Sequence, residues 1–346
     1  MLLYTLVFII LLSGRILDEI LFFRYRFQKV ENPVFIISNP RSGTTYLHRL
    51  LCLDTNRYTY TLLYHSIFTS VTIIKLIDVI GWVDRRIGRP FRKLFDWIDS
   101  KVFDGWKDIH PTGLNQSEED EGMYVFPLIS TAICLICPFM QEFKYLTIPD
   151  EMPEWVRKRL KLYFKSSIKR FVYATGKDKT VLSKNVISIG RIKTILEIFP
   201  NAKIVYLIRD PRKAVPSFIS MFCAPWKLHS PELPKNGPEY RALGQIAIDY
   251  YSYFQEIKDE LKQKNLFQLE YTDLVAKPVE SVRRIYKNFD LPFTEEFLAN
   301  LEKETQKTRK YRSKHSYSLE AYGFSEKELV KQLAPVMESY GFLKEG

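Results

Sequence analysis

The chain has 346 residues, of which 46% are hydrophobic, and a formal net charge of +11. This length suits one large domain with insertions, and the hydrophobic fraction is enough for a sizeable core. The positive charge favours anionic ligands or an anionic membrane surface. Nucleic acid is not expected as a partner, because no recognition module or zinc-binding spacing accompanies the charge. Four cysteines form no disulfide framework, and the C-x-x-C of Cys134 and Cys137 has no second ligand pair, so no metal site is expected.

The N-terminal segment, residues 1–30, is hydrophobic. Met1 to Leu12 is almost wholly apolar, but Arg15 interrupts the run before the roughly 20 residues that span a bilayer. Extended to Phe27, the segment predicts a tilted membrane anchor or an interfacial helix. A helix docked on the protein's own surface is the alternative. A removable signal peptide fits less well, because a positive n-region and a clear cleavage site are lacking.

This segment also determines the predicted location. Basic residues follow it, so the positive-inside rule predicts a membrane-associated protein whose main domain, residues 31–346, lies on the cytoplasmic side. A soluble cytoplasmic protein, or a Golgi luminal one in a eukaryote, is the alternative. We expect the fold to survive removal of Met1 to Phe27, because the first predicted strand begins only at Val34.

Val34 to Leu53 predicts a buried strand, a tight turn and a helix. Pro40 sets the turn, and Gly43 permits a backbone angle that other residues avoid. Free backbone N–H groups and the positive end of the helix dipole converge at such a junction and form an anion site. The junction also carries the hydroxyl groups of Ser42, Thr44 and Thr45 and the charge of Arg41. We therefore expect this loop to hold a phosphate or a sulfate.

The loop differs from the P-loop of ATPases and kinases, G-x-x-x-x-G-K-[ST]. Ser38 replaces its first glycine, and Thr44 replaces the lysine that reaches the β- and γ-phosphates. Without that lysine, a kinase loses its central electrostatic element. An ordinary strand-to-helix turn with a capping Ser or Thr is the alternative interpretation.

Residues 58–110 predict a helical insertion or cap, because apolar positions at helical spacing are followed by basic residues. A membrane-facing or acceptor-binding surface and a cap with a solvated basic face both fit this pattern. Met123 to Met140 contains no charged residue but is interrupted by Pro127 and Pro138. It predicts a buried helix that lines an acceptor pocket.

A second strand-to-helix junction lies at Lys203 to Ser217. Its strand ends in Arg209, Pro211 fits the first turn of the next helix, and Ser217 follows about two turns after Arg209. An arginine and a serine so placed can clamp another phosphate. The alternative is that Asp210 simply caps the helix.

Strands and helices alternate along the rest of the chain. The predicted strands are Thr180 to Lys184 and Leu266 to Tyr271, and the predicted helices are Glu154 to Thr175, Ile189 to Phe199 and Pro278 to Phe289. Alternation predicts an α/β fold with a P-loop-like parallel β-sheet flanked by helices, spanning residues 31–346. Ligands are then expected at the carboxyl ends of the strands.

Together, the two junctions resemble the sulfotransferase superfamily, specifically its bacterial-type branch with a PRSGTT loop. That loop is present at Pro40 to Thr45, and Arg209 and Ser217 match the family's 3′-phosphate pair in type and spacing. Supporting matches at 110–121, 182–185, 271–278 and 314–318 extend the resemblance over residues 32–342. The chain departs from the family at Asn185, where proline is frequent, and at Arg41, where many cytosolic members have lysine.

The resemblance implies 3′-phosphoadenosine 5′-phosphosulfate as the co-substrate, with no metal ion. It assigns the 5′-phosphosulfate to Arg41, Ser42, Gly43, Thr44 and Thr45. It assigns the 3′-phosphate to Arg209 and Ser217, with Arg312, Lys314 and His315 closing over it. Negative charge builds on the leaving phosphate, and Arg41 is the residue expected to neutralise it.

Sulfuryl transfer also needs a base for the acceptor hydroxyl. His110 is the first candidate, because a neutral imidazole is a competent base near pH 7. Glu119 is its rival, because some branches of the family use a carboxylate. Lys184 is predicted to touch the sulfuryl group or the acceptor. Each residue also has a structural alternative. His110 could be a loop or capping histidine, and Glu119 could belong to a solvated acidic helix start at 118–121. Lys184 could be a surface lysine at the end of its strand.

The sequence therefore predicts a sulfotransferase acting on a hydroxyl or amine of a lipid, a glycan or a small molecule. The apolar N-terminus and the apolar pocket candidates favour a lipid or a hydrophobic alcohol. One alternative is an atypical P-loop kinase or NTPase, which needs Mg²⁺ and ATP. Another is a non-catalytic nucleotide-binding protein of the same fold.

Overall fold

A five-stranded sheet forms the centre of the protein. The computed structural model describes residues 2–93, 97, 119–125, 127–176, 178–308 and 318–343. The strands are β1 (Val34–Ser38), β2 (Tyr58–Tyr60), β3 (Thr180–Lys184), β4 (Lys203–Ile208) and β5 (Leu266–Glu270). They lie in the order β2-β3-β1-β4-β5, and every neighbouring pair is parallel. The predicted parallel sheet is confirmed.

Helices cover both faces of this sheet. In chain order they are α1 (Leu2–Leu21), α2 (Thr44–Leu51), α3 (Leu63–Ile67), α4 (Val71–Arg86), α5 (Gly122–Val125), α6 (Glu154–Thr175), α7 (Ile192–Ile198), α8 (Pro211–His229), α9 (Pro238–Ile257), α10 (Tyr271–Ala276), α11 (Pro278–Asn288), α12 (Glu295–Thr308), α13 (Glu326–Gln332) and α14 (Ala334–Ser339). Short 3-10 helices lie at Phe23–Phe27, Thr131–Leu135, Met140–Leu146, Pro149–Glu151, Val186–Arg191, Gln263–Asn265 and Glu320–Tyr322.

The central strand β1 is apolar from Val34 to Ile37 because both of its faces are buried. Phe35 and Ile37 belong to the core formed with α6, α7, α8 and α9. Val34 and Ile36 belong to the core on the opposite face, formed with α2, α11 and α12. Successive side chains of a strand point to opposite faces of the sheet. A strand that is covered on both faces therefore has mostly apolar side chains.

The predicted helical insertion differs from the structure at its start. Tyr58–Tyr60 forms the edge strand β2, which pairs with β3 from Thr180 to Leu182. A three-residue strand is too short for its alternation to show in the sequence. Helices α3 and α4 follow, as expected. The remainder of the predicted insertion, at 94–96 and 98–110, lies outside the described residues.

The predicted helix from Met123 to Met140 is not continuous. Helix α5 ends at Val125, and a separate 3-10 helix begins at Thr131. Pro127 has no backbone N–H to donate and disfavours a helical residue before it, and Leu128 has a positive φ of 59°. The expected burial is confirmed for part of this segment, since Met123, Tyr124 and Cys134 are buried.

Helix α1 docks on the protein's own surface near its C-terminal end. The fully buried Asp18 accepts hydrogen bonds from the backbone N–H groups of Val71 (3.0 Å) and Thr72 (2.7 Å), where it caps α4. Its carboxylate also pairs with Arg170 of α6 at 2.9 Å. Removing Met1 to Phe27 would take away this carboxylate, the cap of α4 and the Tyr25 ring that lies 3.9 Å from Arg170, so the cut is expected to destabilise the fold.

Across the described ranges, the structure contains no helix that is both long and apolar enough to cross a bilayer.

Candidate active site

The strand order brings three loop segments together at the carboxyl edge of the sheet. Strand β1 lies between β3 and β4, and the strand order reverses there, because β2 and β3 lie on one side of β1 and β4 and β5 lie on the other. Such a switch point opens a crevice where ligands bind in α/β proteins. The loop 39–43 follows β1, Lys184 ends β3, and Arg209 follows β4. The two junctions predicted from sequence therefore face the same crevice.

The loop after β1 has the backbone of an anion cradle. Arg41 and Gly43 both have left-handed φ values, 69° and 89°. A Cβ at Gly43 would lie 2.9 Å from the ring of Tyr271, so only glycine fits this approach. The buried Ser42 hydroxyl has no hydrogen-bond partner of normal geometry among the described residues. A buried hydroxyl without a partner, beside the N-terminus of α2, suits an anionic ligand.

Arg41, Arg209 and Ser217 meet across this crevice. The Nε of Arg41 donates to the Ser217 hydroxyl at 3.1 Å. The Nη1 of Arg209 donates to the backbone carbonyl of Arg41 at 2.7 Å, and its guanidinium lies 4.5 Å from the centre of the Tyr271 ring. The structure thus joins the two junctions more closely than the sequence predicts, because the Arg41 side chain reaches Ser217 on α8.

Lys184 lies on the other side of the loop. Its side chain is fully buried, and its Nζ donates to the Thr45 hydroxyl at 3.4 Å and lies 3.6 Å from Glu119 Oε1. The interpretation as a surface lysine is therefore wrong. A buried ammonium needs a compensating carboxylate, and Glu119 provides it. Nearby His48 of α2 stays neutral, since burial, with a smaller effect of Lys184, lowers its pKa to about 3.

Glu119 is the candidate base that the structure brings to the crevice. Through Lys184 it is connected to Thr45 at the first turn of α2. Its rival His110 lies outside the described residues, as do Arg312, Lys314 and His315. The roles that the resemblance gives to these four residues stay predictions.

The two acidic residues after Glu119 are structural. Asp120 is buried and accepts hydrogen bonds from the Ser183 hydroxyl and the Asn185 amide, both at 2.7 Å. Burial raises the pKa of Asp120 to about 6, although these two hydrogen bonds favour the ionised form. Asn185, where the family often has proline, therefore has a defined role in holding this segment.

Glu121 forms a buried ion pair that sequence analysis missed. Both of its oxygens accept from Arg191 at 2.8 Å, and one also accepts from the Asn185 amide at 2.7 Å. The Arg191 guanidinium lies 3.7 Å from the centre of the Tyr124 ring. An arginine within the otherwise uncharged stretch 186–192 was the available signal, because a buried arginine needs an acidic partner. This network, rather than a solvated helix start, holds Glu119 over the end of β3.

These features define a class of protein. A parallel sheet with an anion-binding loop at its switch point, followed by a helix, is the architecture of P-loop-like nucleotide-binding proteins. In this chain, the loop cation is an arginine at the start of the turn. Within the described part of the chain, no three His, Cys, Asp or Glu side chains are grouped so that they could hold a metal ion.

Comparison with known proteins gives the family. A model described as "Sulfotransferase family" matches residues 139–295. The omega-hydroxy-beta-dihydromenaquinone-9 sulfotransferase Stf3 of Mycobacterium bovis is 27% identical over 320 residues, which cover 89% of this chain and 73% of the relative. The chain is thus similar to sulfotransferases over most of its length, which supports the sulfotransferase superfamily and a sulfotransferase activity. The PRSGTT loop lies outside the residues matched by the family model, so it is a separate sign of the same family.

Solved structures agree on the fold. Sulfotransferase STF9 from Mycobacterium avium superposes with a TM-score of 0.72 at 20% identity, over 91% of this chain and 78% of the other. Sulfotransferase STF1 from Mycobacterium tuberculosis gives a TM-score of 0.65 at 18% identity, over 90% of this chain and 78% of the other.

Proposed function

We propose that the protein transfers a sulfuryl group from 3′-phosphoadenosine 5′-phosphosulfate to a hydroxyl or amine of a lipidic acceptor. The observation that carries this proposal is the meeting of Arg41, Arg209 and Ser217. Phosphate-binding elements from two different strands lie in one crevice, which suits a nucleotide with phosphates at both its 3′ and 5′ positions. A nucleoside triphosphate has no 3′-phosphate to occupy the second element.

The residues present fit this donor. The Ser42 hydroxyl, the close backbone approach at Gly43 and the hydroxyls of Thr44 and Thr45 suit the 5′-phosphosulfate. Arg209 and Ser217 suit the 3′-phosphate, with Arg312, Lys314 and His315 proposed to close over it. When bound, the donor supplies the sulfuryl group and a phosphate leaving group.

The chain's own side chains then have distinct tasks. Arg41 and Lys184 stabilise the negative charge that grows on the leaving phosphate and on the sulfuryl oxygens, because preorganised cations in a buried site favour the transition state. Glu119 accepts the proton of the acceptor hydroxyl, and Lys184 holds that carboxylate at 3.6 Å. His110 is the alternative base.

An open cavity supports a lipidic acceptor. It has a volume of about 1170 Å³, and its lining includes Phe8, Leu11, Ile129, Trp155 and Leu162. Ile129 precedes Ser130, whose hydroxyl donates to Glu121, so the cavity borders the network that holds Glu119. The Stf3 relative acts, by its name, on a hydroxylated menaquinone derivative.

The acceptor class is tested by transfer of labelled sulfuryl groups into a total lipid and metabolite extract, with mass analysis of the products. We expect the label in hydrophobic products that carried a free hydroxyl or amine. Label found only in water-soluble products would contradict a lipidic acceptor, while the donor assignment would stand.

The donor is tested by thermal or urea unfolding with added nucleotides. We expect 3′-phosphoadenosine 5′-phosphate to stabilise the protein without metal, by about 2.7 kcal/mol at 100 times its dissociation constant. ATP with Mg²⁺ should stabilise it much less, since the loop lacks the lysine that binds β- and γ-phosphates. Equal stabilisation by Mg-ATP would favour the kinase or NTPase alternative.

We also propose that the protein associates with the cytoplasmic face of a membrane. Exposed arginines follow α1, at Arg24 and Arg26, and the net charge is +11. The cytoplasmic leaflet carries anionic lipids that attract such basic segments.

A further inference from the structure

Helix α1 presents an apolar face to its surroundings. Six large aliphatic side chains on one side of the helix are exposed, namely Leu6, Ile9, Ile10, Ile16, Leu17 and Ile20. Ile9 is 54% exposed and Ile20 is 69% exposed. Their spacing of three or four residues places them in one stripe, which is interrupted by Ser13 and bordered by the exposed Thr5.

The charged residues of α1 all face the protein instead. Arg15 donates to the hydroxyls of Thr69 (2.9 Å) and Ser167 (3.0 Å). Asp18 is buried against α4 and α6, and Glu19 pairs with Arg170 at 2.6 Å. A helix on the surface of a water-soluble protein normally shows the opposite arrangement, with its charges outside. The inversion indicates that the outer face of α1 meets an apolar medium.

Helix α4, which packs against α1, continues this pattern. A Cβ at Gly14 of α1 would lie 2.5 Å from Ile73, so the two helices touch closely at this crossing. Beyond it, α4 exposes Leu76, Val79 and Trp82. The Arg86 guanidinium lies 4.0 Å from the centre of the Trp82 ring. Tryptophan and arginine side by side are typical of the headgroup region of a membrane.

We propose that the outer face of α1, together with the exposed side of α4, docks on an anionic lipid bilayer with α1 lying along its surface. Twenty residues make a helix about 30 Å long, yet it is not apolar enough to span. Exposed Arg24, Arg85 and Arg89 flank the apolar stripe and complement anionic headgroups. A second copy of the chain would bring its own charge of +11 to the same face, which makes it the less complementary occupant.

The apolar surface of α1 lies next to the cavity described above. Phe8, Leu11 and Leu12 of α1 form part of its wall, while the same helix carries the apolar stripe on its other side. An apolar chain can thus pass from the bilayer into the cavity beside α1 without crossing bulk water. This use of the surface rests on the lipidic acceptor of the proposed function, whereas docking itself does not.

The test is co-sedimentation of the full chain with vesicles of phosphatidylcholine and phosphatidylglycerol. We expect the wild-type protein to bind and Ile9→Glu/Ile20→Glu to bind about 100-fold more weakly, because two aliphatic side chains no longer enter the interface. The matched control is Leu228→Glu/Leu343→Glu, which makes the same change at two exposed leucines elsewhere and should bind as the wild type does.

Two further measurements keep the outcomes separate. Stabilisation by 3′-phosphoadenosine 5′-phosphate, measured on the same preparations, should be equal in all variants. Its absence from the wild type would defeat the proposed function and leave docking intact. The docking proposal is overturned if the wild-type protein does not bind the vesicles, or if the α1 variant binds them as well as the wild type does. It is also overturned if that variant only converts a dimer into a monomer, because a second copy then covers the face.

Discussion

Replacing Glu119 by glutamine is expected to lower kcat by about 10²- to 10⁴-fold, the usual contribution of a general base. Glutamine keeps the size of the side chain and a hydrogen-bonding oxygen near Lys184, but it cannot accept the acceptor's proton. Binding of 3′-phosphoadenosine 5′-phosphate should remain, because the proton is removed on the acceptor side of the sulfur. Steady-state kinetics on a soluble hydroxyl acceptor, together with nucleotide titration, measure the two effects.

Two other variants distinguish this role from its rivals. Arg209→Ala should show the contrasting pattern, weak donor binding, because it removes a contact to a phosphate that is present throughout the reaction. His110→Ala should retain activity if Glu119 is the base. Loss of activity in His110→Ala with an active Glu119→Gln would assign the base to the histidine and leave Glu119 as the partner of Lys184.

Asp18→Ala should destabilise the protein by about 3–5 kcal/mol, because it removes the fully buried one of the two carboxylates that pair with Arg170 and leaves only the partly exposed Glu19. The Arg170 side chain is 3% exposed, and the variant also removes the cap from the N-terminus of α4. Urea unfolding at neutral pH measures this change in the free energy of unfolding. The loss should exceed anything expected of a helix that serves only as a detachable anchor.

Asp259→Ala provides the control, since Asp259 is exposed and a surface substitution usually changes stability by less than about 0.5 kcal/mol. If Asp18→Ala and removal of residues 1–27 both left stability within that range, α1 would be a dispensable attachment. The ion pair with Arg170 would then be without energetic importance.

Much of the fold could be predicted because its signals are local. The strand Val34–Ser38, the helix Glu154–Thr175 and the strand Thr180–Lys184 have the predicted bounds. Each is a run of apolar residues at a period of two or 3.6, or a continuous buried run, ended by a turn residue. Neighbouring residues carry that information, so no knowledge of the partner elements is needed.

The loop at 39–45 could also be predicted from local sequence. Proline, glycine and hydroxyl residues between a strand and a helix specify an anion site, because helix N-termini always leave backbone N–H groups without partners. Where prediction failed locally, at Tyr58–Tyr60 and after Val125, the cause was a strand of three residues and the backbone break at Pro127.

The tertiary structure alone decided which charges are paired. Asp18 and Arg170 are 152 residues apart in sequence, and Glu121 and Arg191 are 70 apart. A single charged residue in an apolar segment signals that it needs a partner, but its sequence neighbours do not identify that partner. The sequence therefore predicted the sheet, an anion site at the loop 39–45 and the resemblance to sulfotransferases. Packing determined that Lys184 is buried beside Glu119 and that α1 turns its charges inward, because such pairings exist only once distant segments share the same low-dielectric interior.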